Sequence, residues 1–267
     1  MPKNRIKSLI TLLEDDDPQT ASQAMAELLS MGKINSVISS LQESSAPKMR
    51  MRVHQMQAVL KARKDRATFS GRLKDPDTDL LKGLTDLHIQ WFDQDSPQEV
   101  YDSWGKFLSS TSEYQPDTLK KLGRMMKDFG YCTPNSEEFY PEYFCIGSVA
   151  DECIGADFIL CSIAKLAGDF HGAKTTTVFT PFGFGLCEPE TGMMSFPSKD
   201  WMTCIVKNHV NFEVWNNSKI LRLSASMIFF SSMMMQNFRY AYSAVSCLCE
   251  PGKEDISKIL PYPLGDK

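Results

Sequence analysis

The stretch "ADECIGADFILCSIAKLAG", residues 150–168, has the clearest helical pattern in this 267-residue chain. Its apolar residues recur at the spacing of one helix face, and a closing glycine follows them. The predicted buried stripe consists of Ala156, Leu160, Ile163 and Ala167, supported by Ile159 and Leu166. Cys153 continues this stripe toward the N-terminus. The sequence therefore predicts a helix that ends at Gly168 and has Cys153 at or just before its first residue.

Cys153 has two interpretations, and the residues of this helix do not separate them. A cysteine at a helix N-terminus lies at the positive end of the helix dipole, which lowers the thiol pKa and favours the thiolate. Thiol hydrolases place their nucleophile in this way, opposite a sheet that supplies a histidine. A lone cysteine on an apolar face is more often a core residue.

The composition changes from helical stripes to short strand-like segments after residue 170. These segments are "TTTVFTP", "FGFGLCEP", "TGMMSFP", "DWMTCIVKN" and "NFEVWNN". They predict an antiparallel sheet of four or five strands. Residues 218–249 contain no Gly or Pro and predict a closing helix within 224–249. Helices followed by one helix on a small antiparallel sheet indicate the α+β class.

The first 66 residues carry four apolar stripes at helical spacing, joined by turns such as "DDDPQT". The segment "LITLLEDDDPQTASQAMAELLSMG" resembles HEAT-type helical hairpins. A second helical block covers residues 76–129, and we expect Trp91, Trp104 and Phe107 to be buried in it. The segment "GRLKDPDTD" between the two blocks is predicted to be a linker.

Bulk composition excludes several functional classes. The net charge of −4 and the 42 % hydrophobic content are those of an ordinary globular protein and argue against a dedicated nucleic-acid binder. The basic stretch Lys48–Lys74 fits a solvated helix face, because no aromatic stacking pattern accompanies it. The most apolar stretch, residues 223–238, is too short and too polar to cross a bilayer. We therefore expect a cytoplasmic protein without membrane contact.

Cofactor and metal motifs are missing from the sequence. The glycines of "GFGLCEP" lack dinucleotide-binding spacing, and no Walker-type Gly-Lys-Ser/Thr occurs. The eight cysteines include no Cys-x-x-Cys pair, and no histidine stands at zinc-finger spacing from them. The sequence predicts neither a cofactor nor a metal.

Residues 122–168 read as a whole resemble the SirB-type branch of the transglutaminase-like superfamily. Three phrases carry the resemblance: "DFGY", the loop "NSEEFYPEYF" and the helix "FILCSIAKLAG". Further along, "CEPETGMMSFP" is similar to the Asp-Pro-x-x-Gly turn of that branch. The resemblance implies HEAT-like hairpins over residues 1–74, packed on a transglutaminase-like α+β domain over residues 75–267.

The departures from the family pattern bear on its chemistry. The family carries a histidine on the strand after the core helix, but this chain reads "TPFGFGLCEP" there. The family's acidic residue corresponds to Glu188. A thiol without an imidazole lacks the general base that activates it and the acid that protonates the leaving group.

Three functional hypotheses follow from these residues. The first is a transglutaminase-like protein that lacks efficient thiol catalysis and binds a protein partner or a peptide-like ligand. The second is a cysteine hydrolase or acyltransferase with Cys153 as nucleophile, His209 as base, and Glu188 or Asp200 orienting that base. The third is a helical-repeat interaction module whose sheet is only structural.

Overall fold

A computed structural model of the chain has two compact units, Met1–Arg66 and Ala67–Lys267. The structure describes residues 3–31, 34–42, 44, 46–92, 95–135, 139–205 and 211–249. The division lies before the boundary expected at residue 74, inside a long helix. Phe69 and Leu73, at the end of that helix and just after it, belong to the core of the second unit, so the segment "GRLKDPDTD" begins within a structured element.

The first unit consists of helices that each bury one apolar stripe. They are α1 (Lys3–Leu12), α2 (Pro18–Ser30), α3 (Asn35–Gln42) and α4 (Pro47–Arg72), the last of which continues into the second unit. The core includes Leu9, Leu13, Leu28, Leu29, Ile34, Ile38, Met49, Val53 and Met56, all members of the predicted stripes. Asp17 caps α2 by accepting hydrogen bonds from the Gln19 and Thr20 backbone N–H groups.

The second unit begins with helices that enclose a large apolar core. They are α5 (Leu80–Trp91), α6 (Pro97–Thr111) and α7 (Leu119–Asp128), then a 3₁₀-helix (Pro141–Phe144), α8 (Ile146–Glu152) and α9 (Asp157–Phe170). Trp91 and Trp104 are buried and Phe107 is half-buried against this core. The burial predicted for the two tryptophans is confirmed.

The five strand-like segments form one antiparallel sheet. Its strands are β1 (Thr176–Thr180), β2 (Gly183–Glu188), β3 (Met193–Phe196), β4 (Met202–Ile205) and β5 (Glu213–Trp215), in the order β4-β3-β2-β1-β5. Each predicted segment contributes one strand, and Val178 is opposite Gly185 in the central pair. The α+β class and the antiparallel sheet are confirmed.

The two faces of the sheet differ in what they contact. Phe184 and Leu186 on β2 belong to the large core, which also contains the buried residues of α9. The alternate residues form a separate buried cluster of Val178, Cys187, Met194 and Phe196. Because successive strand residues point to opposite faces, the pattern "FGFGLC" buries side chains on both.

The closing helix predicted within residues 224–249 is in fact two helices, α10 (Asn217–Met234) and α11 (Phe238–Leu248). The break occurs at Gln236, whose φ of 55° is left-handed, and the Asn237 N–H donates back to the Ser232 carbonyl. Among the described residues, no helix has both the length and the apolar character needed to cross a bilayer.

Candidate functional site

Cys153 was predicted to lie at or just before the first residue of the helix within residues 150–168, and this prediction is wrong. Helix α9 starts at Asp157, and Cys153 instead terminates α8 in the left-handed conformation, with φ at 59°. Its N–H donates to the Val149 carbonyl at 3.0 Å, and its carbonyl accepts from the Cys132 N–H at 2.9 Å. The chain leaves one helix at Cys153 and enters the next at Asp157. The thiol is therefore on the residue that closes a helix, where the dipole offers no help to a thiolate.

The surroundings of the Cys153 thiol disfavour its ionisation. Burial raises its pKa, and the neighbouring Cys132 and Asp151 raise it further, although a hydrogen bond with the Tyr131 hydroxyl lowers it. Burial likewise raises the pKa of Tyr131 itself. The helix N-terminus that would lower the thiol pKa is therefore absent at Cys153, and burial dominates, so the thiol stays protonated at neutral pH.

Glu188, the first candidate for an orienting carboxylate, connects α7 to the β2–β3 turn through hydrogen bonds. It ends β2, and its carboxylate accepts hydrogen bonds from the Leu119 backbone N–H at 3.3 Å and from the Thr191 hydroxyl at 2.5 Å. The first of these bonds satisfies a backbone donor in the opening turn of α7. Glu188 thus serves the junction of α7 with the β2–β3 turn.

The other two candidates, Asp200 and His209, are not brought to the thiol by the described structure. Asp200 forms an exposed ion pair with Lys127. His209 lies outside the described residues. The described residues therefore do not assemble a triad around Cys153.

Two further histidines in the described part of the chain have partners of their own. The His171 Nε2 lies 2.7 Å from the Thr111 hydroxyl. The buried His88 contacts the Asp95 carboxylate at 3.0 Å, and burial lowers its pKa. Neither ring acts on the Cys153 thiol. Nor do three or more Cys, His, Asp or Glu side chains come together as possible metal ligands within the described ranges.

A cavity of about 350 Å³ opens at the N-terminus of α9 and is the candidate functional site. It lies between the 3₁₀-helix, the β1–β2 hairpin and α10, and Cys153 does not line it. Its volume lies at the lower end of the roughly 300–1,000 Å³ typical of small-ligand sites. Six aromatic residues line it: Phe139, Tyr143, Phe144, Phe158, Phe179 and Phe184.

The rings of five phenylalanines form a continuous series of contacts along the cavity. Phe139 contacts Phe144 at a centroid distance of 5.7 Å, Phe144 stacks on Phe158 at 6.2 Å, and Phe158 contacts Phe184 at 5.7 Å. Phe179 completes the series 4.8 Å from Phe184. The three middle rings are buried, whereas Phe139 and Phe179 are 42 % and 43 % exposed. The cavity therefore has buried aromatic residues in its interior and half-exposed ones where it reaches solvent.

Asp157 supplies a carboxylate to this aromatic cavity. As the first residue of α9, it directs one oxygen to the Phe158 backbone N–H at 2.8 Å and the other to the Phe184 N–H at 3.0 Å. Gly183 permits this approach, because a Cβ there would lie 3.0 Å from the carboxylate oxygen. Burial raises the pKa of Asp157, although the two backbone hydrogen bonds oppose the shift.

The aspartate and the rings were not predicted as site residues from the sequence. Two local signals point to Asp157: Gly155 interrupts the helical pattern, and an acidic residue two positions later is typical of a first helical turn. Phe184 belongs to the stretch "TPFGFGLCEP", which stands where the resembling family has its histidine. The convergence of Phe139, Phe179 and Met227 on one cavity has no local signal, because they come from three separate elements.

Comparisons with protein-family models, with curated protein sequences and with solved structures find no match to this chain.

Proposed function

We propose that the second unit is a transglutaminase-like, SirB-type binding module without thiol catalysis at Cys153. It holds an apolar group of a peptide-like partner in the aromatic cavity. The cavity itself carries the proposal, because it combines an apolar interior, a solvent-exposed mouth and one fixed polar group, the features of a ligand site. We also propose that the helices of the first unit form HEAT-like hairpins.

The pair Asp157 and Phe184 supports the absence of thiol chemistry. In the layout that the resemblance implies, a nucleophile begins the core helix and a histidine lies on the strand after it. Here the core helix begins with Asp157, and the strand residue in contact with it is Phe184. These two side chains provide neither a thiolate nor an imidazole. The same junction between helix and strand provides a carboxylate inside an aromatic wall.

We expect Cys153 to react slowly with an alkylating reagent. At about neutral pH its labelling rate should not exceed those of the exposed Cys132 and Cys204, because burial keeps its thiol protonated. Peptide mass spectrometry after timed iodoacetamide exposure measures all three rates in one sample. Cys153→Ser identifies the peptide and should keep the melting temperature nearly unchanged. Rapid, selective labelling of Cys153 would restore the hydrolase hypothesis.

We expect the cavity to bind a small neutral apolar probe. The alcohol 3,3-dimethylbutan-1-ol should shift the isotope-labelled methyl resonance of Met227, with a dissociation constant on the order of 1–10 mM, as befits so small a ligand. Met227 lines the cavity from α10. Met227→Leu assigns the resonance.

Two tryptophan variants of α10 form the control for this titration. Met227→Trp should fill the cavity and abolish the probe's effect on the neighbouring Leu223 methyl groups. Met234→Trp adds the same ring to the same helix at a position that is 67 % exposed and outside the cavity, so it should leave binding unchanged. Equal loss of binding in both variants, or no shift in the unsubstituted protein, would contradict the proposed function.

A further inference from the structure

The Asp157 carboxylate has no cationic partner within the described part of the chain. Its hydrogen bonds come from two backbone N–H groups, and no lysine, arginine or histidine of that part contributes to its electrostatics. When ionised, Asp157 acts one helical turn away on Cys161, where its charge adds to the burial that raises the pKa of that thiol. Asp157 is half-buried, and a partly desolvated carboxylate without a counter-charge is unfavourable, so a bound cation would remove part of that cost.

The positive end of the α9 dipole and the Asp157 carboxylate lie at the same place in the cavity, and the carboxylate carries the larger charge when it is ionised. The N-terminus of α9 contributes roughly half a positive charge, whereas an ionised Asp157 contributes a full negative one. An aromatic ring adds to the negative side wherever its face lines the cavity, because the face carries the negative part of the ring quadrupole. The cavity therefore favours a positive group.

From this charge pattern we infer that the aromatic cavity binds an alkylammonium group, such as a trimethylammonium head. The inference rests on the proposed function and specifies the chemistry of its ligand. Phe179 and Phe139 are the half-exposed aromatic residues of the lining, where a cation would first meet the cavity, and the Asp157 carboxylate would receive its charge. An alkylated ammonium suits this site better than a lysine ammonium, because its methyl groups fill apolar space and its hydration is weak.

A pair of isosteric probes separates charge from shape. Choline and 3,3-dimethylbutan-1-ol have the same shape and the same hydroxyl, and they differ in a quaternary nitrogen against a quaternary carbon. We expect choline to bind at least about tenfold more tightly, measured by the same methyl titration at low salt. Equal affinities would overturn the inference while leaving the proposed function standing. Binding of neither probe would overturn both.

Three variants test which residues cause the preference for choline over the neutral probe. Asp157→Asn should remove most of the difference between the probes, because it removes the charge and keeps the shape. Phe179→Leu should weaken choline by about three- to tenfold by removing a ring face. Phe182→Leu is its matched control, since Phe182 lies on the same hairpin, is 60 % exposed and does not line the cavity.

The inference can still be tested if the Asp157→Asn variant does not fold. Asparagine has one carboxamide oxygen to accept bonds where Asp157 uses two, so Asp157→Asn is checked by its melting temperature. If it does not fold, the two probes on the unsubstituted protein and on Phe179→Leu still decide the matter. An unchanged preference for choline in a folded Asp157→Asn variant would overturn the role of the carboxylate. A short peptide carrying trimethyl-lysine that binds more tightly than choline would place the ammonium group on a peptide.

Discussion

Replacement of Trp104 by alanine is expected to lower the free energy of unfolding of the second unit by about 3–5 kcal/mol. The ring is only 8 % exposed and contacts Phe107 at a centroid distance of 5.1 Å within the large core. Its removal therefore loses apolar burial and leaves a cavity that the packed helices cannot fully close. Urea unfolding followed by tryptophan fluorescence measures the change, because all four tryptophans lie in the second unit.

A matched truncation separates burial from the general effect of removing a ring. Phe170, at the end of α9, is 64 % exposed, and Phe170→Ala should change the free energy of unfolding by less than about 1 kcal/mol. A loss below about 1 kcal/mol for Trp104→Ala would mean that its ring is a surface feature.

Trp201→Ala is expected to have a comparable or larger effect, about 3–5 kcal/mol from the lost ring alone. Trp201 is 3 % exposed, and its indole N–H donates to the Tyr131 carbonyl at 2.7 Å. Its own carbonyl accepts a hydrogen bond from the buried Ser195 hydroxyl at 2.9 Å. Trp201 thus connects the loop before β4 to Tyr131. Its replacement by alanine removes both its packing and its buried hydrogen-bond donor.

Trp201→Phe isolates the hydrogen bond from the packing. Phenylalanine keeps most of the apolar ring but has no donor, so the Tyr131 carbonyl loses its indole partner at a cost of about 1–3 kcal/mol. Trp215→Phe is the control, since the Trp215 indole donates to Glu213 at a longer 3.3 Å near the surface and its loss should cost under about 1 kcal/mol. Equal effects of the two Trp→Phe substitutions would show that the bond to Tyr131 contributes nothing specific.

Helices and strands with a local signal can be predicted from the amino-acid sequence. The helical stripes of the first unit and the burial of Trp91 and Trp104 follow from a period near 3.6 residues. The five strands follow from short β-branched or aromatic segments between turn residues. These properties depend on neighbours along the chain, and the order of helices and strands was enough to predict the α+β class.

Local periodicity did not predict where helices end. Cys153 fits the stripe of α9 by spacing, yet the chain leaves the helical path between Cys153 and Asp157 to pair with Cys132. That pairing joins residues about twenty positions apart and has no counterpart in the spacing of apolar residues. The break at Gln236 has the same character, since residues 218–249 contain no Gly or Pro that would signal it.

The set of side chains that forms the candidate site depends on tertiary contacts. The cavity brings together a helix terminus, a hairpin, a 3₁₀-helix and a distant helix, and the pKa of Asp157 is raised because burial removes water from it. The thiol of Cys153 is likewise governed by burial and by Tyr131 rather than by a helix dipole. Local sequence specifies periodicity and turns, whereas burial and charge pairing depend on contacts between remote segments, which exist only once the chain has folded.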